Sequence, residues 1–143
     1  MNIKLVYASL TGNTEMLSDL MIEKFEEEKG LEIEKLFIED MEDFDFLDDA
    51  DAFIVATYTY GEGELPEEME EFFEALADKN YEGKIYGVIG TDEYCACVDQ
   101  FDEQIAKTGA TNPTENLKIE IEADTDEDFE NIDKFIEAFS SAL

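Results

Sequence analysis

Two rhythms of apolar residues alternate along this chain. Residues 2–8 (NIKLVYA), 51–57 (DAFIVAT) and 84–90 (KIYGVIG) are short, nearly continuous apolar runs, whereas 31–38 (LEIEKLFI) and 117–123 (LKIEIEA) alternate apolar with charged residues. The first pattern predicts strands buried on both faces and the second predicts strands with one wet face. Between them lie segments of helical spacing. From Thr14 to Lys29, Leu17, Leu20, Met21 and Phe25 share one face, and Gly30 ends the segment. Pro66 to Asp78 repeats the spacing through Met69, Phe72, Phe73 and Leu76, and 96–108 repeats it through Val98, Phe101 and Ile105 before Gly109. Thr125 and Asp128 form a capping-box pattern that predicts a last helix with Phe129, Ile132, Ile136 and Phe139 inward. The acidic stretch 39–50 predicts a short turn or helix packed through Phe44 and Leu47.

Strands alternating with helices imply an α/β fold, its parallel strands joined by right-handed crossovers with helices on both faces. Runs buried on both faces belong in the middle of the sheet and alternating runs at its edges. The first, third and fourth strands are then interior and the second and fifth are edges, which predicts a doubly wound five-stranded parallel sheet of order 2-1-3-4-5. In such a sheet a ligand sits at the carboxyl ends of the first and third strands, where the winding reverses. At 143 residues the chain is expected to form one domain, 1–143.

Charge narrows the possible partners. The chain carries 40 acidic residues against nine lysines, with no arginine and no histidine, for a formal net charge of -31. Its 44% apolar content marks a folded body with an acidic surface. That surface disfavours nucleic acid and anionic membranes and favours fast, salt-sensitive encounter with basic protein surfaces. A monomer suits such charge. No apolar run has the length of a membrane span and the N-terminus reads as a strand, so a cytoplasmic location is expected. Cys95 and Cys97 are too close in sequence for an easy disulfide and lack histidine partners for zinc, so both are expected as thiols.

Three loops at the predicted ligand edge carry the chemistry. In SLTGNT, residues 9–14, no side chain is charged. A helix N-terminus can bind a phosphate through backbone N–H groups alone. Ser9, Thr11 and Thr14 would add hydroxyls, Asn13 an amide, and Gly12 a close backbone turn. A plain helix cap by Thr11 or Asn13 accounts for the same pattern. The absence of a P-loop lysine and of G-x-G-x-x-G points to a phosphate monoester rather than a triphosphate or dinucleotide. In ATYTYGEGELP, 56–66, Tyr58 and Tyr60 beside Gly61 and Gly63 suit a flat aromatic ligand, although loop tyrosines are also ordinary packing residues. GTDEYCAC, 90–97, adds Tyr94 flanked by Asp92 and Glu93. Together the three loops specify a mononucleotide with a planar ring.

These residues resemble the flavodoxins, specifically the short-chain type, across the whole chain in element order and length. SLTGNT is similar to the family's phosphate loop, [ST]-x-T-G-x-T, and ATYTYGEGELP is similar to the loop that covers one face of flavin mononucleotide (FMN). The resemblance implies a flavodoxin-like fold and a non-enzymatic, low-potential one-electron carrier that holds FMN and shuttles electrons between redox enzymes. It implies cofactor contacts from Ser9, Leu10, Thr11, Gly12, Asn13 and Thr14 in the first loop. The second would contribute Thr57, Tyr58, Thr59, Tyr60, Gly61 and Gly63, and the third Thr91, Asp92, Tyr94 and Cys97. Tyr60 stands where the family usually has tryptophan, and the loop 90–97 is shorter than the family's G-D-x-x-Y-x-x-F-C. Glu62, Glu64 and Glu67 would form a negative rim for basic docking surfaces on a flavodoxin or ferredoxin reductase and on acceptor enzymes. An FMN-dependent reductase, or a flavodoxin-like activator of ribonucleotide reductase, is the alternative on the same fold. A phosphorelay receiver fails because the first and third strands end in Ala8-Ser9 and Ala56-Thr57 rather than in acidic residues.

The resemblance also places Gly61 where a carbonyl turns toward the flavin on reduction, a rotation that glycine permits. We predict that Gly61→Val lowers the yield of half-reduced protein in a reductive titration while FMN binding stays largely intact. An unchanged yield would count against that role.

Overall fold

β1 (Ile3–Tyr7), β3 (Ala52–Tyr58) and β4 (Ile85–Thr91) come from the apolar runs and are buried along nearly their whole length. Strands that are apolar on both faces need cover on both, so they occupy the middle of the sheet. β2 (Ile33–Phe37) and β5 (Leu117–Ile119) lie at its edges. The computed structural model describes residues 1–60, 63–91 and 96–143. It shows a five-stranded sheet in the order β2-β1-β3-β4-β5 with every neighbouring pair parallel, the order predicted from burial. Register aligns Val6 with Val55 and Val55 with Val88.

Successive strand residues face opposite sides of the sheet. Phe53 and Val55 therefore join Val6, Val88, Phe72 and Phe101 in one core, while Ile54 joins Leu5, Met21, Phe25, Phe135 and Phe139 in the other. The first core is covered by α2 (Glu70–Leu76), which follows a 3-10 turn at Glu67–Met69, and by α3 (Ala96–Ala106). The second is covered by α1 (Asn13–Lys29) and α4 (Asp126–Ser141). α3 approaches β4 so closely that a Cβ on Gly90 would fall 2.3 Å from the Val98 side chain and 2.7 Å from the Thr57 carbonyl oxygen. The capping box at α4 forms as predicted, with Thr125 Oγ1 accepting from the Asp128 N–H at 3.0 Å and the Asp128 carboxylate accepting from the Thr125 N–H at 3.4 Å.

Two expectations are corrected at the β5 edge. The predicted strand 117–123 ends at Ile119, which pairs with Thr91 of β4, and the chain bends from Glu120 to Ala123 instead of continuing extended. Phe129 is 38% exposed, and the inward face of α4 consists of Ile132, Phe135, Ile136 and Phe139. With β5 so short, the first turn of α4 has little sheet to cover.

The acidic stretch after β2 is held down by cations. Lys4, buried on β1, donates to the Phe46 carbonyl at 2.8 Å and to Asp49 Oδ1 at 2.6 Å, with its ammonium 4.4 Å from the Phe46 ring centroid. Lys84 donates to the Asp48 and Ala50 carbonyls. Lys79 and the Tyr81 hydroxyl both reach the Asp48 carboxylate, at 3.0 and 2.7 Å. Leu47 is fully buried as a result, and Phe44 packs against the core.

Burial, and next a hydrogen bond to a carboxylate, pushes two hydroxyls well above the ordinary tyrosine range: Tyr81 on Asp48 and Tyr86 on Asp102. The neutral phenol is therefore favoured by the fold. Its contribution is complete below about pH 10 and falls as pH rises further, because the unfolded chain releases these protons first. We predict that the denaturation midpoint drops between about pH 9 and about pH 11, and that Tyr81→Phe with Tyr86→Phe flattens that slope. An equal slope in the double variant would refute the assignment.

Candidate functional site

Parallel pairing brings the carboxyl ends of β1 and β3 together, and the Ala8 N–H donates to the Ala56 carbonyl at 3.0 Å. The chain leaving β1 at Ala8 therefore runs beside the chain leaving β3. The first loop turns on Gly12, which sits at the N-cap of α1 with φ 95°, a left-handed conformation that an L side chain would strain. Neither Thr11 nor Asn13 caps the helix. Ser9 Oγ takes that part, accepting from the Gly12 N–H at 3.1 Å and the Glu15 N–H at 3.4 Å. The N–H groups of Thr11, Asn13 and Thr14 have no acceptor among the described residues, leaving three donors at the positive end of the α1 dipole.

Thr14 is buried, and its Oγ1 lies 2.7 Å from Thr91 Oγ1, which ties the first turn of α1 to the end of β4. At the end of β3, the Tyr58 hydroxyl donates to Glu68 Oε1 at 2.5 Å. Burial, then that bond and the Glu68 charge, raise the Tyr58 hydroxyl far above the ordinary tyrosine value, so it stays protonated at any physiological pH. Thr59 is buried, and its Oγ1 accepts from the Cys97 N–H at 3.2 Å. Tyr60, in contrast, is 56% exposed.

A cavity of about 520 Å³ opens between these loops, lined by Leu10, Thr11, Asn13, Thr14, Tyr58, Thr59, Tyr60, Thr91, Glu120 and Ile121. Eight of the residues singled out in the sequence thus share one wall-to-wall space. Ser9 and Gly12 shape the loop behind it, Thr57 is buried with its Oγ1 donating to the Tyr58 carbonyl at 2.9 Å, and Cys97 backs Thr59. Gly63 stands off the wall, its N–H 3.4 Å from the Tyr60 carbonyl. Gly61, Asp92 and Tyr94 lie outside the described residues, as do Glu62 and Cys95. Sequence reasoning missed Glu120 and Ile121. The available signal was the strand order, which places the carboxyl end of β5 beside that of β4.

The lining includes no lysine. Lysines elsewhere are engaged: Lys4, Lys24, Lys29, Lys35, Lys79 and Lys118 each pair with a carboxylate. Leu10, Tyr58 and Tyr60 separate the cavity from an acidic cleft that includes Glu64, Glu67, Glu68 and Glu70. The cavity can therefore accept an anionic tail on backbone amides at one end and an apolar or aromatic group against tyrosine at the other. Among the described residues, no helix is long and apolar enough to cross a membrane.

Comparison with known proteins agrees with this geometry. The family model described as Flavodoxin matches residues 5–133. "Probable flavodoxin 1" of Bacillus subtilis (strain 168) is 34% identical over 140 residues, covering 94% of this chain and 87% of that one. The solved Streptococcus pneumonia TIGR4 flavodoxin superposes with TM-score 0.90 over 100% of both chains at 42% identity. A Fusobacterium nucleatum flavodoxin bound to flavin mononucleotide shares the fold, with TM-score 0.78 over 99% of this chain and 98% of that one at 16% identity. With the sheet order, the cation-free loop after β1 and a family match over nearly its whole length, this chain belongs to the flavodoxin family.

Proposed function

We propose that this protein binds FMN non-covalently in the cavity at the ends of β1, β3 and β4 and carries electrons singly, at low potential, between redox proteins. The observation that carries the reading is the pairing of unpartnered N–H donors at Thr11, Asn13 and Thr14 with an exposed aromatic wall at Tyr60, across a cavity without cations. Its volume lies within the range of about 300–1,000 Å³ for small-molecule sites.

FMN supplies the redox chemistry. The residues of this chain bind it, orient it and set the field around it. The amides of the first loop, with the Thr11 hydroxyl and the Asn13 amide, hold the phosphate; Ser9 and Gly12 keep that loop in shape, and Leu10 contributes its exposed side chain to the wall. Tyr58, Thr59, Tyr60 and Thr91 frame the ring system, with Thr57, Gly61, Gly63, Asp92, Tyr94 and Cys97 completing the contacts that the family resemblance implies. The net charge of -31 opposes further negative charge at the site, which makes loss of an electron easier than gain.

Docking follows from the rim. Leu10, Tyr60 and Ile121 are exposed apolar residues at the cavity mouth, and the cleft of Glu64, Glu67, Glu68 and Glu70 adjoins it. An apolar patch edged by carboxylates suits a partner with a basic docking face, with steering that weakens as salt rises.

Two tests follow. Apoprotein mixed with FMN and freed of excess is expected to stay yellow at one flavin per chain, and colourless protein would end the reading. Asn13→Asp, which places a carboxylate in the phosphate loop, is expected to weaken FMN at least about tenfold. Riboflavin, lacking the phosphate, should be nearly unaffected, and equal losses for both ligands would mean that this loop does not hold the phosphate.

A further inference from the structure

The segment beginning at Tyr60 is closed by its own backbone and gripped from outside. The Tyr60 N–H donates to the Glu64 carbonyl and the Glu64 N–H returns the bond to the Tyr60 carbonyl, both at 2.8 Å. α3 adds three contacts. The Cys97 N–H donates to Thr59 Oγ1 at 3.2 Å, Cys97 Sγ–H to the Glu64 carbonyl at 3.1 Å, and Gln100 Nε2 to the Gly63 carbonyl at 3.1 Å. The Gln100 contact differs from the other two, since it comes from a long polar side chain in the second turn of α3 that stands outside the cavity wall. Gln100 is also an uncharged donor among acidic neighbours, placed on a helix whose Val98 and Phe101 are fixed in the core.

We propose that Gln100 is a positioning residue for electron transfer, anchoring the Gly63 carbonyl to α3 and so fixing Tyr60, which is hydrogen-bonded to Gly63 and Glu64, at the wall of the flavin site. The proposal rests on the FMN reading above. A hydrogen bond of this kind influences a redox equilibrium only to the extent that it differs between states. By tethering Gly63, and through it Tyr60, Gln100 holds the Tyr60 ring in one place beside the flavin, ready for the half-reduced protein. Without the tether, that arrangement has to be ordered afresh, at an entropic cost.

The test is a spectroelectrochemical titration of FMN-loaded wild type, Gln100→Leu and Gln100→Glu. Gln100→Leu keeps similar bulk without a donor and is expected to bring the two one-electron midpoint potentials closer together. The expected shift is an about fivefold loss in the equilibrium favouring half-reduced protein, the scale of one net hydrogen bond. Its FMN dissociation constant should change less than about twofold, because Gln100 does not line the cavity. Gln100→Glu should behave like Gln100→Leu at pH 7 and approach the wild type measured at the same pH as acidification toward about pH 4 gives its carboxyl a proton to donate. That recovery is a signature a purely structural role would lack, and it carries the test alone if Gln100→Leu does not fold. Wild type that retains FMN, with the separation of potentials unchanged in the variants, overturns the role of Gln100 alone. Wild type that does not retain FMN overturns both the binding reading and this one.

Discussion

Parallel pairing of β1, β3 and β4 is the constraint on which the site depends. Each of these strands is apolar on both faces, so each needs neighbours in the sheet and helices above and below. With Tyr7 opposite Ala56 and Tyr58 opposite Thr91, the chain leaves three adjacent strands at nearly the same height. The bond between Thr14 and Thr91 then locks the start of α1 to the end of β4. Residues as distant in sequence as Leu10, Tyr60 and Thr91 become walls of one cavity because hydrophobic burial aligned the strands. No loop needs to find the others by its own chemistry.

The distribution of charge is a second constraint. Nine lysines face 40 carboxylates, and the structure uses lysine to hold acidic segments in place, most visibly where Lys4, Lys79 and Lys84 pin the stretch around Asp48 and Asp49. Lys24 and Lys29 pair with Asp133 and Glu137 across α1 and α4. Surface pairs of this kind are individually weak, but in a chain with so large an excess of one sign they also relieve local repulsion. On the reading proposed above, anion recognition falls to backbone amides, which carry partial positive charge without adding a cation.

Most of the architecture was legible because it rests on periodicity and burial. The sheet order follows from which apolar runs are continuous, the end of α1 from Gly30, and the start of α4 from Thr125 and Asp128. Legibility fails where the outcome depends on a neighbour rather than on the segment itself. LKIEIEA alternates throughout, yet among the described residues it pairs with β4 only to Ile119, opposite Thr91, and bends from there. Phe129 has the spacing of a core residue and lacks a surface to pack on. Ser9 looks like one more ligand hydroxyl, and only the folded loop shows that its Oγ also accepts from the Gly12 and Glu15 amides. Likewise, nothing local in PEEMEE, residues 66–71, or in the α3 segment announces that Tyr58 meets Glu68 or that Gln100 meets Gly63, since those contacts join residues from different elements.

The two constraints act together on the electron-carrier reading. A lysine at the phosphate end would strengthen nucleotide binding, but the potential of a full charge falls only as the inverse of distance, so it would also reach the ring and make the reduced state easier to form. Amide donors avoid that conflict because a dipole's field falls off faster with distance than a charge's. On that reading the phosphate sits where the amides are, and the ring would experience the negative surroundings with little offset. Tight binding and a low potential, which would oppose each other in a site built from cations, are reconciled when backbone N–H groups of a helix start supply the grip. On the electron-carrier reading, the scarcity of basic residues is then the condition that would let one site do both.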